Sequence, residues 1–181
     1  MHVFLVYEFM ERGSLYDMLR NDKEVIQLDW PKRVEIVQGV AWALFYLHHD
    51  CVPPILHRDI SSKNVLISSD LEAHVSDFGI ARFLELDGPN WTTFASTHGY
   101  SAPELAYTMA VTEKCDVSSF GLLVLEVLMG KHAGDLISKI QLLAVESINV
   151  KDVLDPHLPP PVYKKTVHEL ELVMKIVVSC L

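Results

Sequence analysis

From Asp116 to Met129 the sequence reads DVSSFGLLVLEVLM, apolar at almost every position after its first turn. A helix that is apolar all round has no face to offer water, so it must lie inside a packed structure. It is too short to span a membrane, which takes roughly 20 residues. Glu126 interrupts its apolar run, and a carboxylate there has to pair with a neighbour or reach for the helix end. Gly130 stops the helix. The rest of the chain must therefore supply elements that wrap around this one.

The candidates are legible along the chain. Val3–Phe9, rich in β-branched and aromatic residues, predicts a strand. Glu11-Arg12-Gly13-Ser14 breaks it, and Ser14 is placed to cap a short helix, Leu15–Arg20, with Asp17 three residues on. Asp29-Trp30-Pro31 is a helix start, a capping Asp with Pro in the first turn. Val34, Val37, Ala41, Leu44, Phe45, Leu47 and His48 then keep helical spacing for about five turns, to near His49. Pro53-Pro54 forbids continuation. Ile55-Leu56, Asn64–Ile67 and Ala73–Val75 predict short strands. Residues 81–103 have no period and many Ser and Thr, and a long unpatterned loop in a compact domain is usually functional. Residues 135–145 predict a helix, 155–161 with its four prolines an extended segment, and 165–181 an amphipathic helix with no stop signal. The chain thus begins inside a strand-like run and ends inside a helix-like one.

Composition excludes several classes. There are 15 Lys and Arg against 24 Asp and Glu, a net charge of −9. That balance disfavours tracking a nucleic-acid backbone, which calls for a basic face. Three cysteines (Cys51, Cys115, Cys180), an odd number without any C-x-x-C, argue against a disulfide framework and for a reducing compartment. No apolar run reaches spanning length, and the N-terminus lacks the basic region of a signal peptide. The cluster His48, His49, Cys51 and His57 matches no metal-ligand spacing.

The chemistry-bearing residues stand in a fixed order. His57-Arg58-Asp59 is followed by Asn64 five positions after Asp59, by Asp77-Phe78-Gly79 thirteen after Asn64, and by Glu104 of Ala102-Pro103-Glu104 twenty-seven after Asp77. Each alone is an ordinary turn residue. Together they match a set suited to phosphoryl transfer. A carboxylate (Asp77) and a neutral amide (Asn64) are hard oxygen ligands that can hold Mg²⁺ without repelling ATP. A separate carboxylate, Asp59, can orient or accept the proton of a substrate hydroxyl. Phe78 would anchor the loop and Gly79 would let its backbone turn.

On these residues the chain resembles the protein kinases, and specifically the plant leucine-rich-repeat receptor-like kinases. LVYEFMERGSL (5–15), the stretch 28–66 containing ILHRDISSKNVL, SDFGIARFL (76–84) and the stretch 99–132 are all similar to that family. The resemblance implies an α+β, protein-kinase-like fold. It would consist mostly of the α-helical C-terminal lobe with short β-strands, the N-terminal lobe being largely missing. Residues 1–13 would be the end of the N-lobe and the hinge, and 14–181 a C-lobe lacking its last helix.

It also implies roles. The Glu8 carbonyl and Met10 amide would meet adenine, with Tyr7 as gatekeeper, Ser14 near the ribose and Leu66 as the adenine floor. Asp59 would be the catalytic carboxylate, and Asn64 and Asp77 the Mg²⁺ ligands. Arg58 would pair with a phosphate on Thr93, or on Thr92 or Ser96. Thr97 would bond Asp59, and Asp116 would hold the His57-Arg58 backbone. ATP and Mg²⁺ are the implied cofactors. Protein substrates and sibling receptor kinases are the implied partners, at the cytosolic face of a plasma membrane to which the intact receptor is anchored.

The sequence departs from the family in places. Ser61 stands where serine/threonine kinases usually have a Lys for the γ-phosphate, and Lys63, four after Asp59, is expected to take that role. Ser96 replaces a usual Gly, and Ser118 a usual Tyr or Trp. No G-x-G-x-x-G, no V-A-I-K-like Lys and no αC Glu is present. The expectation is a serine/threonine protein kinase domain whose isolated chain is inactive. The rival is a truncated, non-catalytic binding or decoy module, soluble in the cytoplasm.

Overall fold

The computed structural model describes residue 4 and residues 6–84, 112–131 and 153–181. Helix α1 is Leu15–Arg20, α2 is Trp30–Phe45, α3 is Lys114–Met129 and α4 is Lys164–Cys180. The short strands are β1 (Ile55–Leu56), β2 (Val65–Ile67), β3 (Ala73–Val75) and β4 (Arg82–Phe83).

Helix α3 is the buried axis that its sequence demands. Cys115, Asp116 and every residue from Ser118 to Leu128 are buried. Helix α4 packs along it, and α2 packs against both. The α2 face comes from Val34, Val37, Val40 and Leu44, and the α4 face from Leu170, Val173, Met174 and Val177. Gly121 lets α3 and α4 approach, since a Cβ there would lie 2.8 Å from the Cys180 Cβ. Glu126 finds its partner in α1, where Arg20 Nη1 reaches its Oε1 at 3.0 Å. Burial pushes the Cys115 and Cys180 thiols above their ordinary value, so they pack as small apolar groups.

The ends of the helices follow their caps. Ser14 Oγ accepts from the Asp17 N–H, and Asp29 Oδ1 from the Lys32 N–H. Gly130 closes α3 in the left-handed conformation at φ 67°. Asp155 packs directly on it, and a Cβ at Gly130 would overlap the Asp155 carboxylate. The proline segment beyond is tied to the start of α2. Trp30 Nε1 donates to the Pro159 carbonyl at 2.7 Å, and Arg33 Nη2 meets Asp155 Oδ2 at 2.6 Å, both side chains fully buried. Arg33 also donates to the carbonyls of Leu28 and Val127, so the pair has the extra hydrogen bonds that a buried ion pair requires.

Two antiparallel pairs lie at one side. Strands β2 and β3 form a hairpin with Val65 opposite Val75, and β1 pairs with β4, Ile55 opposite Phe83. Strand β4 has no counterpart in the sequence reading, because it lies at the start of the stretch 81–103, which shows no period. The strand expected at Val3–Phe9 is not formed by its described residues. Val6, Tyr7 and Phe9 are at least 80% exposed and belong to no described ladder, and a strand without a neighbour leaves its backbone groups to water. The helix expected to end near His49 does reach that far, but its last turn, Tyr46–Asp50, is a π-turn. Residues 85–111 and 132–152, with the expected loop and the helix at 135–145, lie outside the described residues.

Candidate functional site

The loop after β1 is fixed from beneath by the first turn of α3. Asp116 is fully buried; its Oδ2 accepts the His57 N–H at 2.8 Å and its Oδ1 the Arg58 N–H at 2.7 Å. His48, from the π-turn, donates Nε2–H to the same Oδ2 at 2.9 Å. Arg58 is held at φ 72°, a conformation that costs a non-glycine residue on the order of 1 kcal/mol or more and persists only when surroundings over-determine it. The His57 ring is committed at both nitrogens. Nε2–H donates to the Ser76 carbonyl at 2.9 Å and Nδ1 accepts the Asp59 N–H at 3.3 Å, so the ring proton is on Nε2.

Asp59 and Asn64 form one unit. Asn64 Nδ2 donates to the Asp59 carbonyl and to Asp59 Oδ2, each at 2.8 Å. Both partners are acceptors, so the amide nitrogen must face them and Oδ1 is turned away, free for a cation. Asn64 directly precedes β2, and Ser76 directly follows β3. The Ser76 N–H and Oγ–H both donate to the Asn64 carbonyl, at 2.8 and 3.0 Å. Asp77, next in line, therefore emerges at the same end of the hairpin as Asn64. It too has positive φ, 61°, and its Oδ1 accepts the Gly79 N–H at 3.2 Å. Phe78 packs against the His57 ring at a tilt of 56°, with centroids 4.8 Å apart. A cavity of about 450 Å³ opens beside it, lined by Ile55, Phe78, Ala81, Arg82 and Phe83.

The fit to a hard divalent cation is good in kind. One carboxylate and one amide oxygen make an incomplete shell, which suits an ion that keeps waters and takes phosphate oxygens. Among the described residues no group of three or more His, Cys, Asp or Glu converges on a metal position. His48 and His57 are instead spent on Asp116 and Ser76.

Other predicted residues fall as follows. Ser14 forms an isolated backbone bridge with Leu66, bringing together the two positions expected near ribose and adenine. The Glu8 carbonyl and Met10 N–H have no internal partner among the described residues, while the Met10 carbonyl accepts from Gly13. Lys63 is exposed with its Nζ 5.1 Å from the centre of the Tyr16 ring. Ser61, at the position of the usual phosphate Lys, is fully buried and its Oγ has no hydrogen-bond partner among the described residues. Ser118, in place of an aromatic, is buried. Arg58 Nη1 donates to the Ile80 carbonyl at 3.1 Å. Burial pushes its guanidinium below the ordinary arginine value, and the nearby Arg82 adds to that. Thr92, Thr93, Ser96, Thr97 and Glu104 lie outside the described residues.

The contacts of three residues escaped the sequence reading. Arg82 could have been found as the basic residue five after Asp77. His48 and Tyr16 carry no local signal, since their partners are distant in the chain.

Residues 1–166 match the protein kinase domain family, and the chain belongs to it. MDIS1-interacting receptor like kinase 2 of Arabidopsis thaliana is 51% identical over 181 residues, 99% of this chain and 17% of that protein. A leucine-rich repeat receptor-like serine/threonine-protein kinase of the same plant is 42% identical over 184 residues, 97% of this chain and 17% of the relative. The pseudokinase domain of BIR2, an immune regulator of the RLK/Pelle family, matches with a TM-score of 0.77 at 32% identity, over 96% of this chain and 52% of that one. Within the family the chain stands with the plant leucine-rich-repeat receptor-like kinases, as the resemblance implied. It spans 17% of the length of these two relatives. No helix among the described residues is long and apolar enough to cross a membrane.

Proposed function

We propose that this chain is the catalytic-loop part of an ATP-dependent serine/threonine protein kinase of the receptor-like signalling type, with 1–13 ending the N-lobe and hinge and 14–181 forming the C-lobe. The single observation that carries the reading is the Asp59–Asn64 unit, because it joins a carboxylate to an amide whose oxygen faces away, at the hairpin end from which Asp77 emerges. Asp59 orients the substrate hydroxyl and receives its proton. Asn64 Oδ1 and Asp77 hold Mg²⁺, which supplies charge neutralisation for the transferring phosphate. Lys63 adds a cation near the γ-phosphate. The Glu8 carbonyl and Met10 N–H take the adenine edge, above Leu66 and beside Ser14. Arg58, with Arg82 close by, receives a phosphate on Thr93, and Thr97 bonds Asp59. Protein substrates and sibling receptor kinases are the partners, at the cytosolic face of the plasma membrane.

The isolated chain is expected to be inactive, because the residues that cover the phosphates are not in its sequence. A second reading, a non-catalytic kinase-derived binding or decoy module, draws support from the pseudokinase relative and from Ser61, whose buried hydroxyl cannot supply the usual cation. The test is phosphate transfer to a generic basic protein from Mg·ATP, run beside a thermal-shift titration with ATP. For the chain alone, transfer should be absent. When the chain is joined to a receptor-kinase N-lobe, transfer should appear. No transfer and no ATP-dependent shift in the joined protein would favour the binding module.

A further inference from the structure

The catalytic-loop cation has a rest position built for it. Lys63 is four residues after Asp59, close enough in sequence for the two to pair, yet among the described residues Lys63 makes no ion pair. Its Nζ lies instead 5.1 Å from the Tyr16 ring centre, within the range of a cation–π contact. Tyr16 is tied to the loop, since its N–H donates to the Ser62 carbonyl at 2.9 Å, one residue before Lys63. The same ring carries a second cation, Arg20, whose Cζ is 3.6 Å from the centroid. Two like charges on one ring would repel unless one were neutralised. Glu126, 1% exposed in the core helix α3, does this through its 3.0 Å bond to Arg20.

The geometry points to Tyr16 as the positioning residue for Lys63. Its ring holds the ammonium on the α1 side of the loop and out of an ion pair with Asp59. The Glu126–Arg20 pair keeps the ring in place and balances the charge of its second cation. This rests on the role given above to Lys63 in transfer, but the contact itself can be tested without activity.

The readout is the ¹³C signal of dimethylated lysines, which keep their charge, in the full chain, with Lys63 assigned by its loss in Lys63→Arg. The Lys63 signal should be displaced upfield by the ring in the native chain and in Tyr16→Phe, and should join the solvent-exposed lysines in Tyr16→Leu. An undisplaced signal in the native chain overturns the proposal, whether or not Tyr16→Leu folds. So does a displacement that survives Tyr16→Leu. In the chain joined to an N-lobe, Tyr16→Leu should lower kcat several-fold with little change in KM for ATP. It should have no further effect in a Lys63→Met background. If Lys63→Met itself leaves kcat unchanged, the transfer role of Lys63 fails while the ring contact stands on the spectrum. If Lys63→Met lowers kcat and Tyr16→Leu does not, the positioning role fails.

Discussion

Asp116 and Arg58 are fifty-eight positions apart, yet the Asp116 carboxylate accepts the Arg58 N–H at 2.7 Å and holds that residue in a left-handed conformation. The other oxygen takes the His57 N–H and His48. Asp116→Asn keeps the volume but turns an amide toward one of these donors. Losing a hydrogen bond to a buried charged group costs about 1.5–3 kcal/mol, and the strained φ at Arg58 loses part of what sustains it. The expected outcome is a lower urea midpoint for the chain and loss of transfer in the joined kinase. An unchanged midpoint would show that the loop is held by something else.

Asp77→Ala should remove the Mg²⁺-dependent part of ATP binding while leaving the chain folded, because Asp77 is bonded only to Gly79 among the described residues. Thermal-shift titrations of the joined protein with ATP, with and without Mg²⁺, separate the two. A Mg²⁺ increment that persists in Asp77→Ala would rule out its role as ligand.

Lys63→Met should lower kcat far more than it raises KM for ATP, since a cation that meets the γ-phosphate acts mainly as charge moves in transfer. Steady-state kinetics of the joined kinase decide this. An equal change in both constants would make Lys63 a binding residue.

The buried Arg33–Asp155 pair gives a pH signature. Burial alone would raise the Asp155 carboxyl, but the His157 N–H and the Arg33 guanidinium outweigh it and hold the group below its ordinary range. The folded value lies below the unfolded one, so the unfolded chain binds the proton first. The stabilisation is therefore complete at neutral pH and is lost as pH falls from about 4 downward through the folded value. Asp155→Asn should be destabilised by roughly 3–5 kcal/mol at pH 7 because Arg33 is left buried without its counter-charge. The gap between the two proteins in urea midpoint should narrow below pH 4. A gap independent of pH would mean that the carboxyl is not the titrating group.

Gly130→Ala should be severe for a surface-sized change. The position needs φ 67°, and the added methyl would meet the Asp155 carboxylate. The left-handed conformation alone costs about 1–2 kcal/mol, and displacing Asp155 disturbs the Arg33 pair as well. Gly130→Ala and Asp155→Asn combined should therefore destabilise by less than the sum of the two, as a double-mutant cycle in urea would report.

The helices were legible because their signals are local. Ser14, Asp29 and Gly130 mark ends, and the spacing of Val34 to Leu44 marks a face. The strand expected at Val3–Phe9 is not formed by its described residues because composition records preference, while a strand also needs a neighbour to take its hydrogen bonds. The candidate set was legible from spacing, since Asp59, Asn64 and Asp77 sit on one loop and one hairpin. What spacing could not give is which distant side chain holds them. Asp116 was reached only through family resemblance. The contacts of His48 with Asp116, and of Tyr16 with Lys63 forty-seven residues on, exist only once the helices have packed.

Helix α3 is enclosed along nearly its whole length, so its amides should be among the last in the chain to exchange with deuterium. The loop bearing Asp59 is moored to the first turn of that helix. Partial openings that expose the outer face of α2 or the proline segment can then come and go with Asp116 still gripping His57 and Arg58. The loop's geometry should survive every opening short of the global one.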